Sequence, residues 1–233
     1  MELIGVSLTV EHLLPCLIDL FKQDNDKGFT KLIFSPEPFN KLLDFLASSS
    51  ITIGYNGIRD HIMTLISEFF IPDRVDETLR QELQPHLLRC LVKASQILTS
   101  EDRTDRVLPI ILDSIRDDAD EERRILGLEM VDLLAESLGK ETCTNYLMYE
   151  IVSLQDDSVY RVRKETVQRM INISKTVGKD IFLRILFPVY KKLCNDQVWG
   201  VRRSTIEMLP QIAPLCPQDI KNGILIEIFK KFS

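Results

Sequence analysis

Aspartate and arginine recur in this chain at a step of 39 residues: Asp118, Asp157 and Asp196, then Arg124, Arg163 and Arg202. Around them sit DDADEER (117–123), DDSVYRV (156–162) and NDQVWGV (195–201), each between two amphipathic runs. A repeat of this length describes a helix pair that cannot bury its apolar side alone and must stack on its neighbours. The pattern predicts an all-α fold, an α-solenoid of stacked antiparallel helix pairs. Such a fold works through an extended surface more often than through a pocket.

Three columns of apolar residues keep the same phase. First helices are expected within 103–116, 142–154 and 181–193. Their matched positions are Leu108/Leu147/Leu186, Leu112/Ile151/Tyr190 and Ile115/Leu154/Leu193. Separations of three and four residues place each set on one helix face. Second helices are expected at about 121–138, 160–177 and 199–215, aligned as Val131/Met170/Leu209, Leu134/Ile173/Ile212 and Leu138/Val177/Cys216. Gly139 and Gly178 follow as helix stops, where a positive φ costs glycine little. Pro217 holds the third such position.

The expected organisation is one solenoid over 1–233. It has irregular repeats over 1–100, three regular repeats over 101–217, and the first helix of a further pair over 218–233. In the irregular part, helices are expected at about 9–22, 37–48, 57–70 and 77–98. The β-branched stretch ITIGYNG (51–57) has no partner strand of similar character and reads as a turn entering a helix. The unpaired last helix would expose an apolar face, and the chain reads as part of a longer solenoid.

Composition narrows the function. Apolar residues make up 45% of the chain, ample for a core. The net charge of −6 is spread along the chain with no long basic tract, which argues against nucleic acid. No apolar run approaches the roughly 18–20 residues that span a bilayer, and the start lacks the basic n-region of a signal peptide. Five scattered cysteines without a CxxC pair imply reduced, buried thiols in a cytoplasmic or nuclear protein. His12, His61 and His86 lie far apart, outside any zinc motif, and phosphate-loop and nucleophile-elbow motifs are absent. No catalytic residue, metal, cofactor or small-molecule substrate is expected.

Each repeated aspartate falls where a first helix ends, and each arginine lies six residues on, at the start of the second. The six residues Asp118, Arg124, Asp157, Arg163, Asp196 and Arg202 read as a structural ladder of charge-assisted bonds, within a repeat or between neighbours. Asp157 with Arg163 and Asp196 with Arg202 are the expected pairs. Repetition argues against catalysis, since an active site is needed once and a stacking device in every repeat. The less repeated residues Tyr160, Arg161, Lys164, Trp199, Gly200 and Arg203 are the candidates for protein binding. Trp199, the only tryptophan, reads either as an interface anchor or as a cover for the end of the core. The basic residues here suit an acidic surface or peptide, and equally a solvated edge. A partner peptide along the second helices would meet Glu129, Gln168, Arg169 and Glu207.

The segment LRILFPVYKKLCNDQVWGVRRSTIEMLPQIAPL (183–215) resembles HEAT repeats, with Pro188, Asp196 and Val201-Arg202 on characteristic positions. Residues 154–180 match more loosely and 117–139 more loosely again, so the resemblance covers roughly 100–233. Within HEAT proteins, residues 193–203 are most similar to scaffold and regulatory subunits of protein phosphatase 2A-type phosphatases, notably the regulatory subunits of protein phosphatase 4. That resemblance implies a noncatalytic subunit holding a serine/threonine phosphatase catalytic subunit through its intra-repeat turns, Asp156–Arg163 and Asn195–Arg203. The acidic turn at 117–122 lacks the Val-x-x-Val-Arg form and departs from the pattern. HEAT repeats also build adaptors for transport and assembly, and that alternative stays open.

Overall fold

In the computed structural model, residues 8, 11, 12, 15, 16, 36–48, 50–71 and 77–232 are described. The helix expected over 9–22 lies almost wholly outside them. The chain forms two compact parts, Met1–Ile110 and Ile111–Ser233. Among the described residues there is no strand.

In the first part, α1 (Pro36–Ser48), α2 (Met63–Phe70) and α3 (Glu77–Ile97) enclose a core of Leu43, Leu46, Leu65, Ile66, Leu87 and Leu91. The stretch ITIGYNG is helical on both sides of Gly54, whose φ of 76° is the whole of the expected turn. The helix α4 (Leu108–Ile115) runs through the division at residue 110.

The second part alternates long and short helices. The long ones are α5 (Glu121–Thr142), α7 (Tyr160–Val177) and α9 (Trp199–Ile212). Between them lie α6 (Met148–Ser153) and α8 (Phe187–Leu193), and α10 (Ile226–Phe232) follows. The long helices pack side by side in order, α5 on α7 and α7 on α9. Most positions of the columns expected from the 39-residue step point inward, with Leu147, Leu186, Ile151, Tyr190, Leu134, Ile173 and Ile212 buried, whereas Leu112 and Leu209 are only half-buried. Burying one such aliphatic side chain stabilises by about 1.5–3 kcal/mol, so a column in phase is a strong reason for a helix to keep its register. Tyr190 brings a hydroxyl into this core and donates to the Thr205 carbonyl at 2.7 Å, which offsets the cost of burying it.

A device with no sequence signature recurs in the first helices among the described residues of 50–232. It is a π turn, at Ile58–Ile62, Arg103–Val107, Cys143–Leu147, Phe182–Leu186 and Lys221–Leu225. In the first four, the next amide reaches back five residues, as Met63 does to Ile58 and Phe187 to Phe182. The starts are separated by 45, 40, 39 and 39 residues, so 58–70 carries the same element at a longer spacing. Pro109 and Pro188 sit six residues into their copies, where the carbonyl a proline ring would strike lies inside the widened turn. Thr64 and Tyr149 hold the equivalent position, so proline exploits the turn and does not cause it.

Four residues before each π turn the chain changes direction. Gly54, Gly139 and Gly178 do so with φ of 76°, 80° and 87°. Thr99 occupies the same place with φ −65°, and Arg103 then supplies what the glycine turn would have given. Its Nη1 donates to the Leu98 carbonyl at 2.9 Å and the Ser95 carbonyl at 3.1 Å, capping the end of the preceding helix.

Candidate functional site

The intra-repeat turns hold the aspartates and arginines, and their pairing runs between repeats. Arg124 grips Asp157 of the next turn, Nε to Oδ2 at 2.7 Å and Nη2 to Oδ1 at 3.2 Å. Arg163 grips Asp196 in the same way, at 2.7 and 3.0 Å. The expected side-chain pairs of Asp157 with Arg163 and Asp196 with Arg202 do not form. Each arginine instead uses Nη1 on a backbone carbonyl of its own turn: Arg124 on Asp117, Arg163 on Asp157 and Arg202 on Asp196, all at 2.7 Å. The carboxylates also accept from backbone amides, Asp157 from Val159 and Asp196 from Val198, both at 2.8 Å. One guanidinium thus staples its own turn and clamps the next. The Arg163 guanidinium holds the Asp196 carboxyl below the usual range, against the opposing effect of burial.

Asp118 belongs to the column in sequence but not in space. It is exposed, and Asp117 takes the turn amides of Ala119 and Asp120 at 3.1 and 3.0 Å. Asp120 then caps α5 through the amides of Glu122 and Arg123. The acidic turn that lacked the Val-x-x-Val-Arg form therefore uses a different capping scheme. The helices α7 and α9 start at Val159 and Val198 with no side-chain cap.

The candidate binding residues separate into two groups. Tyr160 and Trp199 are 48% and 59% exposed, at equivalent positions opening α7 and α9. Lys164 and Arg203 stand one turn further along. The Arg203 guanidinium lies 5.5 Å from the centre of the Trp199 ring, a cation–π contact, and its Nε donates to Glu207 at 2.8 Å. Trp199 therefore does not cover the end of the core. Gly200 beside it is partly exposed, with open space where a side chain would project. Arg161 stands apart, because its Nη1 binds Glu121 at 2.6 Å and Glu122 at 2.5 Å of the preceding helix. Opposite charges 39 and 40 residues apart were the signal for that pair.

A polar row continues down the second helices. From Trp199 it runs through the exposed Arg203, Glu207 and Gln211; from Tyr160, through the half-buried Lys164 and Gln168 to the exposed Asn172. The turn residues and the second-helix face thus form one surface. Of the other expected contacts, Glu129 is partly exposed, and Arg169 is engaged with Glu165 at 3.3 Å and Asp132 at 3.6 Å. Asn172 donates to the Asp132 carboxylate at 2.8 Å, in a shallow groove shared with Leu133, Glu136, Lys175 and Thr176. Burial pushes the Asp132 carboxyl up, against the pull of Arg169. A second exposed aromatic pair, Tyr146 and Tyr149, lies on the first-helix side of the same repeat.

Among the described residues, no three metal-ligating side chains converge. None of their helices is long and apolar enough to cross a membrane. The charges of the two rungs, Arg124 with Asp157 and Arg163 with Asp196, satisfy one another and the backbone.

No family model matches the chain, and no curated protein does. Solved structures do. Cex1p aligns over 96% of this chain at 18% identity with a TM-score of 0.68, and the chain spans 39% of the length of Cex1p. A designed armadillo repeat protein in complex with the peptide (KR)4 aligns over 94% of this chain and 90% of its own, at 16% identity and a TM-score of 0.54. An engineered protein aligns over 94% and 87%, at 16% identity and a TM-score of 0.52. The fold is an all-α helical-repeat solenoid.

Proposed function

We propose that this chain is a noncatalytic scaffold or regulatory subunit that holds a serine/threonine protein phosphatase catalytic subunit. The contact is the stripe that begins at Tyr160, Lys164, Trp199 and Arg203. The observation that carries the reading is the exposure of Trp199 with Arg203 over its ring, in the segment whose sequence resembles phosphatase regulatory subunits. A large aromatic left in solvent beside a cation is an interface anchor in composition and in position. Arg161 is neutralised within the chain and plays a lesser part. The setting is the cytoplasm or nucleus.

A second reading, an adaptor that grips a peptide of a transport or assembly partner, draws support from the continuity of the stripe with the second-helix face. Affinity capture from lysate with the intact chain, read by mass spectrometry, separates the two. The phosphatase reading expects a catalytic subunit of this class that is lost with Trp199→Ala/Arg203→Ala, while circular dichroism shows the variant folded. A different partner lost with the same variant establishes the adaptor. Retention of the phosphatase by the folded variant refutes this contact surface.

A further inference from the structure

We infer that the first-helix side of the second part carries another docking surface, apart from the stripe that begins at Trp199 and independent of it. Its occupant is an acidic, proline-bearing segment of a partner protein in the polyproline II form, with carboxylates at every third residue. Tyr149 is 77% exposed and Tyr146 47%, and neither hydroxyl bonds to another described residue. The helix that carries Tyr149, α6, packs beside the π turn Phe182–Leu186 of the next first helix. Lys192 at the end of that helix binds Asp156 at 2.5 Å, so the two first helices lie side by side. Along the second of them Arg184, Pro188 and Lys191 form an exposed line, at separations of four and three residues. Val152 and Ile185 are half-buried around the tyrosines. Exposed aromatic and apolar area edged by charge marks a contact surface.

Charge and spacing select the occupant. Arg184 and Lys191 make no ion pair among the described residues, and Asp180, one turn before Arg184, is not bonded to it. Glu150 and Asp156, the carboxylates that follow the tyrosines in the chain, are already taken by Arg116 and Lys192, each at 2.5 Å. The patch therefore offers cations and aromatic faces with no carboxylate of its own to answer them. Seven residues of helix set Arg184 and Lys191 about 10 Å apart. A polyproline II chain repeats its facing every three residues, over about 9 Å, so carboxylates at i and i+3 meet both cations. The prolines between them then lie against the tyrosines, as such segments do in aromatic-lined grooves. An anionic bilayer is the poorer occupant, because its recruitment takes a cluster of about four to eight cations.

The intact chain is titrated at low salt into fluorescein-labelled, capped EPPEPPE and, separately, KPPKPPK and PPEEEPP, with anisotropy as the readout. The expected result is saturable binding of EPPEPPE, at least fivefold tighter than either of the others. Tyr149→Ala is expected to weaken it at least fivefold, and Arg184→Glu/Lys191→Glu to reverse the preference toward KPPKPPK, in variants that circular dichroism shows folded. Equal or tighter binding of KPPKPPK, or no saturable binding of EPPEPPE, overturns the inference whether or not any variant folds. Binding of phosphatidylserine vesicles without binding of EPPEPPE overturns it in favour of lipid. Equal affinity for PPEEEPP overturns the spacing of the carboxylates. Loss of EPPEPPE binding in folded Trp199→Ala/Arg203→Ala, with none in Tyr149→Ala, overturns its placing on the first helices.

Discussion

Replacing Asp196 by alanine removes the carboxylate from one complete rung while leaving its neighbours in place. Asp196 accepts two bonds from Arg163 and one from the Val198 amide, with its side chain 8% and that of Arg163 15% exposed. Breaking a buried pair from one side costs about 3–5 kcal/mol, since the remaining charge stays desolvated. The rung lies at the solvent edge of the turn, so water can reach the abandoned guanidinium, and about 2–3 kcal/mol is expected. For a chain of this size each kcal/mol lowers Tm by about 2–4 °C, giving a loss of roughly 4–12 °C. Asp118→Ala is the internal control: the same residue in the sequence repeat, exposed in the structure, expected within about 0.5 kcal/mol of wild type. Thermal unfolding followed by circular dichroism reads both. Equal effects of the two substitutions would refute the assignment of the rungs. The pH dependence follows from the depressed Asp196 carboxyl. A folded-state value below the unfolded one, about 3.9, stabilises above that pH, and the contribution is lost as pH falls through the folded value. The gap in Tm between wild type and Asp196→Ala should therefore narrow below about pH 4.

Gly127 has Ile115 Cγ1 2.5 Å and the Ile115 amide nitrogen 2.8 Å from where a Cβ would stand, so Gly127→Ala should destabilise by about 1–3 kcal/mol despite alanine's helix preference. Chemical denaturation would show it as a lower midpoint. Tyr190→Phe leaves the Thr205 carbonyl without its hydroxyl donor and should cost about 1 kcal/mol in the same assay. Burial pushes the Cys90 and Cys143 thiols up to about 12, whereas Cys16 is exposed. Iodoacetamide at pH 8 should label Cys16 in the folded chain, with Cys90 and Cys143 reacting only on unfolding, as peptide mapping would record.

The apolar columns were legible because burial repeats in phase: Leu147 and Leu186 must face inward for either helix to be stable. Gly139 and Gly178 were legible for a related reason, since a helix stop with positive φ leaves few residue choices. The direction of the rungs was hidden, because Asp157 lies six residues from Arg163 and 33 from Arg124, and only stacking decides between them. Asp118 misled for the same reason: Asp117, one residue earlier, reaches the turn amides first. The π turns leave no composition to read, beginning as they do at Ile58, Arg103, Cys143, Phe182 and Lys221. Once they are seen, the irregular first hundred residues carry the same element at a spacing of 45. The exposure of Trp199 was undecided in the sequence, as a tryptophan at a helix corner packs inward or outward according to neighbours that one repeat does not reveal.

The central claim, that the Trp199–Arg203 stripe is the docking surface, is tested most directly by biolayer interferometry against a purified phosphatase catalytic subunit. Wild type would be compared with Trp199→Ala/Arg203→Ala and with Tyr146→Ala/Tyr149→Ala on the first-helix side. The account predicts at least tenfold weaker binding for the first variant and unchanged binding for the second. The reverse order would contradict it and move the contact to the first helices.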